Sequence, residues 1–277
     1  MKTAFEINGE EPAASDTHAL LEVGEYGMSV LKFRKDPFSI DAISTYNFPE
    51  DSHGTISEKF RKIISDNAFA SQANVHVFFN FREALLIPDE FMHEDTHADQ
   101  LNLIYGVSPC DDTAYDEFVI NPGSEQPQKL FCVYRTPGGV VSVVKEISLN
   151  RPMHSTSVQI QPQAPTALHC TIFYNTIKIF LYVNNQLQLV NQYKYKTPAD
   201  VVYHLLNACD KHKVSPSEID VFLDGMIDVD SSLYQEIYKY FLHVHFNVIA
   251  DDGVLSSGFK EHPLHFITHL TALARCV

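Results

Sequence analysis

Short, largely apolar runs separated by turn residues begin at Ala19. LLEVG (20–24) reads as a buried strand, MSVLKF (28–33) follows after a short turn, and a turn at Lys35-Asp36-Pro37 leads into SIDAISTYNF (39–48). The period then changes. Thr55-Ile56-Ser57-Glu58 is a capping box, because the Thr hydroxyl and the Glu carboxylate can each satisfy a backbone N–H left open at a helix start. Phe60, Ile63 and Ile64 fall on one face behind it, and NVHVFFNF (74–81) closes the set as a strand.

From Ala167 the same order recurs. LHCTIFY (168–174), a turn near Asn175, IKIFLYV (177–183), a turn at Asn184-Asn185 and LQLVNQYKY (187–195) predict three strands. Thr197 then caps a helix with Pro198 in its first position and Val201, Val202, Leu205, Leu206 and Cys209 spaced to face a core. Ser215-Pro216-Ser217 breaks the chain before the strand IDVFLDG (219–225). Measured from Leu20 to Val75 and from Leu168 to Asp220, the two copies span 55 and 52 residues, which predicts a duplicated α/β domain.

Helix and strand follow in each copy. SSLYQEIYKYF (231–241) is amphipathic, HVHFNVIA (243–250) reads as a strand, and residues 263–275 are expected to form a C-terminal helix. VVSVVKEI (140–147) fits both types: its valines favour a strand, while Val140, Val144 and Ile147 sit at helical spacing. The polar, proline-bearing segment 150–166 is the expected inter-domain crossing. The expected division is an N-terminal extension (1–18), a first subdomain (19–160) and a second (161–277).

Composition narrows the function classes. With 35 Asp plus Glu against 20 Lys plus Arg, the formal net charge is −15, and no basic run offsets it. A field of that sign repels phosphate backbones and anionic lipid, so nucleic acid and membrane insertion are not expected, and a protein partner is. The first residues lack the apolar core of a signal peptide and no apolar run reaches the length of a membrane span, so a cytoplasmic location is expected. Five widely spaced cysteines without a C-x-x-C pair predict reduced, mostly buried thiols.

Three antiparallel strands, a helix and a further strand, twice over, resemble the two RNase H-like halves of the actin-like ATPase superfamily. ALLIPDEFM (84–92), residues 168–206 and IDVFLDGMIDVDSSLYQEIYKYF (219–241) are also similar to a family of uncharacterised Bacteroidetes proteins of unknown function with that fold. The resemblance runs from about Ala19 to Val248. It implies an α/β actin-like ATPase fold, with two RNase H-like subdomains of mixed sheet flanked by helices, and a place for ATP and Mg.

In nucleotide-binding members of the superfamily, each half opens with a hairpin carrying an Asp, glycines and a Ser or Thr. Backbone N–H groups at a tight glycine turn approach phosphate closely, and the acid holds Mg²⁺ and water. By the resemblance, Glu22 stands where the first Asp belongs, with Gly24, Gly27 and Ser29 beside it and Glu25 in a place hostile to phosphate. The second hairpin, Thr171 to Lys178, carries neither acid nor glycine, and the glycine pair of the adenosine region is reduced to Gly225. A degenerate site with no cofactor, in a non-catalytic binding or scaffold module, is the leading expectation. The alternative is an ATPase using Glu22, Gly24, Gly27, Ser29 and Gly225.

A third expectation comes from His93-Glu94-Asp95-Thr96-His97, which spells the H-E-x-x-H of zinc peptidases. That chemistry needs both imidazoles one turn apart on a helix with an apolar back. Residues 93–97 have no apolar member, Glu90, Glu94, Asp95 and Asp99 surround them with charge, no H-x-x-G-x-x-H extension follows, and Glu117, the one conceivable third ligand, lies beyond Gly106 and Pro109, so no metal is expected there. His243 with His245, and His265 with His269, are the remaining histidine pairs, read as ordinary, partly exposed side chains. The acidic stretch is expected to be a polar link or the solvated start of a helix completed by Leu101, Ile104 and Tyr105.

Overall fold

The structure, a computed structural model, describes residues 2–9, 17–50, 52–67, 74–120, 127–158, 164–248, 254–255, 257–259 and 261–277. Strands β1 (Lys2–Asn8), β2 (His18–Gly24), β3 (Gly27–Lys35) and β4 (Phe38–Asn47) lead into helix α1 (Ile56–Asp66) and strand β5 (Asn74–Asn80). Next come β6 (Ala84–Pro88), α2 (His97–Tyr105), β7 (Asp112–Ile120), β8 (Gln128–Thr136), α3 (Val140–Ile147) and the two-residue β9 (Met153–His154). The second series is β10 (Ala167–Ile172), β11 (Thr176–Val183), β12 (Gln186–Lys194), α4 (Pro198–His212), β13 (Asp220–Gly225), α5 (Ser232–Tyr238), β14 (His243–Phe246) and α6 (Thr268–Ala274).

Strand order is β1-β4-β3-β2-β5-β9 in one sheet and β12-β11-β10-β13-β14 in another, with a small third sheet, β6-β8-β7. The cores β4-β3-β2-β5 and β12-β11-β10-β13 have the same order and the same senses: two antiparallel steps, then a parallel one. Both hairpins also share one register, Val23 opposite Met28 and Ile172 opposite Ile177. The copies diverge after the parallel strand. Residues 81–139 separate β5 from α3, whereas only 226–231 separate β13 from α5. The small sheet and α2 lie in that insertion.

The chain divides into two units, Met1–Gln159 with Asp251–Glu261 and Leu273–Val277, and Ile160–Ala250 with His262–Ala272. In the first, Ala19, Leu21 and Val23 of β2 pack with Phe60 and Ile63 of α1 and Val140, Val143 and Val144 of α3. In the second, Leu168, Cys170 and Ile172 of β10 pack with Val201, Leu205 and Cys209 of α4 and Ile237 of α5. Helix α1 begins at the expected capping box, Thr55 with Glu58, and α4 at the expected cap Thr197, where Asp200 completes a second box.

Several elements differ from expectation. VVSVVKEI is helical, with Val140, Val143 and Val144 buried in the core of the first unit. Residues 2–8, expected to be an extension, form an edge strand that pairs antiparallel with β4. The strand expected over 243–250 ends at Phe246, with 249–250 outside the described residues. The helix expected over 263–275 is broken: a 3-10 turn, Leu264–Phe266, precedes α6. Within the expected crossing, residues 154–158 are buried, and 159–163 lie outside the described residues. The buried Asp116 carboxylate anchors this segment by accepting from the His154 N–H at 2.5 Å and the Ser157 hydroxyl at 3.0 Å.

Candidate functional site

In open α/β sheets, ligand-binding groups gather at the carboxyl ends of parallel strands, because helix starts and loops cluster there. In the first unit that position holds the end of β2, where Glu22 is buried opposite Ser29 of β3 and Phe78 of β5. Ser29 in turn faces Thr45 of β4, hydroxyl to hydroxyl at 3.2 Å. A polar row, Glu22, Ser29 and Thr45, thus crosses three strands.

The two glycines flanking this hairpin tip have local causes. A Cβ on Gly24 would stand 2.9 Å from the Asn80 carbonyl oxygen, and one on Gly27 would stand 2.8 Å from that of Tyr46. Neighbouring backbone therefore already occupies the space that their missing side chains open. Glu25, at the tip, lies 3.8 Å from the Arg82 guanidinium. Burial, followed by the Glu25 charge, raises the Tyr26 phenol above its usual range.

The second unit carries the equivalent row with different chemistry. Shared register aligns Thr171 with Glu22, Lys178 with Ser29, Gln192 with Thr45 and Asp224 with Phe78. Gln192, Lys178, Thr171 and Asp224 follow one another across β12, β11, β10 and β13, and all are buried. Asn247 extends the row just past β14, donating its side-chain amide to Asp224 Oδ2 at 2.9 Å. The carboxyl that the second hairpin lacks is therefore supplied by the next strand.

Burial pushes the Asp224 carboxyl above the usual carboxylate range, against the lowering by His269, Thr171 and Asn247. Its Oδ1 is buried without a hydrogen-bond partner. Beside it, Gly225 has φ +80° and would bring a Cβ to 2.3 Å from the Ile172 carbonyl oxygen, so only glycine fits where β13 ends against β10. That same carbonyl accepts the Met226 N–H at 2.7 Å. The hairpin tip is Phe173-Tyr174-Asn175. Tyr195, its phenol pushed by burial up to about 12, donates to the Phe173 carbonyl at 3.1 Å.

The histidines separate from one another. His93 is exposed in extended backbone, Glu94–Thr96 form a 3-10 turn, and α2 starts only at His97, which packs edge-on to Tyr115 at 5.3 Å. The H-E-x-x-H string thus lies on no single helix. His265, expected to be partly exposed, is instead buried. It donates to the Ile227 carbonyl at 2.7 Å and stacks on Phe246, while His269 sits beyond the helix break. His245 bonds Asp220 at 2.9 Å. No group of three or more His, Cys, Asp or Glu able to hold a metal ion occurs among the described residues. Cys132, Cys170 and Cys209 are buried thiols, while Cys110 and Cys276 are exposed.

The duplicated mixed sheets with their covering helices define the actin-like ATPase fold. A Bacteroides thetaiotaomicron protein described as having an actin-like ATPase fold and unknown function is similar with a TM-score of 0.74 at 13% identity, covering 95% of this chain and 97% of that one. A structure described as the PilM-PilN type IV pilus biogenesis complex gives 0.60 at 11% identity, over 96% of this chain and 100% of the other. The ethanolamine utilization protein EutJ from Carboxydothermus hydrogenoformans gives 0.52 at 7%, over 97% and 92%. Residues 131–244 match the family described as "Protein of unknown function (DUF3822)". No curated protein matches the chain.

Sequence reading located the first hairpin and Gly225 but missed the second row. Thr171 and Lys178 are seven residues apart and each looks unremarkable. Asp224 joins them only through a parallel pairing with more than fifty residues between the partners.

Proposed function

We propose that this actin-like protein has a degenerate nucleotide site and acts as a non-catalytic cytoplasmic module that binds a protein partner. The observation that carries the reading is the second hairpin, whose tip is built from Phe173, Tyr174 and Asn175 and tied by Tyr195. A phosphate needs converging N–H groups on an open glycine turn, and this tip has bulky side chains and no glycine. Gly24, Gly27 and Gly225 are each accounted for by a neighbouring carbonyl, so their presence is no argument for a phosphate cradle. The net charge of −15 also disfavours a polyanionic ligand. A similar structure is described as the PilM-PilN complex, which is consistent with a partner-docking role for this fold. No helix among the described residues is long and apolar enough to cross a membrane.

Isothermal titration of the full chain with Mg-ATP tests this. No heat of binding at millimolar nucleotide is expected. A micromolar Kd that weakens in Glu22→Gln would overturn the reading in favour of the ATPase built on Glu22, Gly24, Gly27, Ser29 and Gly225.

A further inference from the structure

The insertion between β5 and α3, which the second copy lacks, carries exposed apolar side chains and an excess of acids. Helix α2 packs on the small sheet through His97, Leu101 and Tyr105, four residues apart: Leu101 is fully buried among Ile87 and Val133, and Tyr105 donates to the Ala84 carbonyl at 3.2 Å. Arg135, itself buried, pins the helix end by bonding Asn102 and the Gly106 carbonyl, each at 2.8 Å, and Glu83 at 2.6 Å. With that face fixed inward, Leu103 and Ile104 must point out, 84% and 65% exposed, followed by Val107 at 78%. Phe91, 59% exposed, lies on the turn before the helix, and its carbonyl accepts from the Gln100 side chain, which ties that turn to α2. Isolated exposed apolar side chains are ordinary on a protein surface; four on one short, firmly held segment are not.

Charge indicates what covers them. From Glu83 to Ile120 the sequence holds ten Asp or Glu and no Lys or Arg. Four of those acids are matched by cations from outside the stretch: Glu83 by Arg135, Asp89 and Glu117 by Lys129, and Asp116 by Arg151. Asp95 and Asp99, on and just before α2, are exposed and form no ion pair among the described residues. Such an excess of acids repels nucleic acid and anionic lipid and attracts a cationic segment, while the exposed apolar side chains need hydrophobic partners to exclude water.

We propose that the outer face of α2 docks a basic amphipathic segment of a partner protein, with its apolar side chains on Phe91, Leu103, Ile104 and Val107 and its lysines or arginines against Asp95 and Asp99. This deepens the reading of the chain as a binding module and is independent of the loss of nucleotide chemistry. Mg-ATP binding would remove the latter and leave the docking face in place. Failure of docking without Mg-ATP binding would remove only the face.

The probe is a fluorescent synthetic helix with leucines along one side and lysines on the other, titrated with the full chain and read by anisotropy. Binding is expected to weaken roughly tenfold or more in Leu103→Ser/Ile104→Ser. It is also expected to weaken in Asp95→Asn/Asp99→Asn and with added salt. All four side chains are exposed, so both variants are expected to keep the wild-type circular dichroism spectrum, with melts lowered by no more than a few degrees. The proposal is overturned if the Ser variant binds as wild type does, or if a lysine-glycine-serine peptide of equal charge binds as tightly. Sedimentation showing that wild type self-associates and the Ser variant does not would also overturn it, assigning the face to a second copy.

Discussion

His169 shows how a single ring records its surroundings. It lies in β10 between Phe222, stacked at 5.0 Å, and Tyr182, edge-on at 6.0 Å, and neither ring nitrogen has a hydrogen-bond partner. Burial lowers its pKa from 6.5 to about 4, and burial with the Lys35 and His18 charges does the same for His76. A base lowered on folding takes up its proton first in the unfolded chain. Stability is therefore full above about 6.5 and falls as pH drops towards about 4. The Asp224 and Asp116 carboxyls, raised by burial, act in the opposite sense, favouring the folded state as they protonate. His169→Phe keeps the stacking and removes the proton, so its stability relative to wild type is expected to be about 2 kcal/mol higher at pH 5 than at pH 7.5. Urea denaturation at the two pH values measures this, and an equal difference at both would refute it. Apolar surroundings of this kind are not legible from the string LHCTIFY, because Phe222 and Tyr182 arrive from other strands.

At the scale of elements, legibility followed the range of the interaction. Helices α1 and α4 were readable because a helix cap and a one-sided apolar face are written within a few residues. Thr197→Ala removes the hydroxyl that accepts the Asp200 N–H and is expected to cost about 1 kcal/mol in a chemical melt, while Thr197→Ser costs less. A Thr197→Ala variant as stable as wild type would mean that Pro198 and core packing hold the helix start alone. Edge strand β1 and the pairing of β6 with β8 went unread, since their partners are separated from them by other elements. Leu101, Ile104 and Tyr105 were expected to complete helix α2 together. The small sheet instead takes the His97, Leu101 and Tyr105 line, which leaves Ile104 outside.

Across the whole molecule, duplication and its interruption carry the functional argument. Both copies keep the hairpin register, and each puts different chemistry on it: Glu22, Ser29 and Thr45 in one, Thr171, Lys178 and Gln192 in the other. A ligand bound to the folded state at a hundred times its Kd adds about 2.7 kcal/mol, enough to raise Tm by several degrees. Millimolar Mg-ATP is therefore expected to leave the melting temperature of this chain unmoved, and an upward shift of that size would contradict a degenerate site. The sequence by itself determined the repeat, the capped helices, the short apolar runs of the paired strands and the acidic balance, all properties of neighbouring residues or of simple sums. Tertiary structure alone decided which faces met. Parallel pairing set Asp224 beside Thr171, the small sheet chose the inner line of α2, and neighbouring carbonyls claimed the space at Gly24, Gly27 and Gly225. Those outcomes depend on contacts between segments whose separation along the chain leaves no periodic trace.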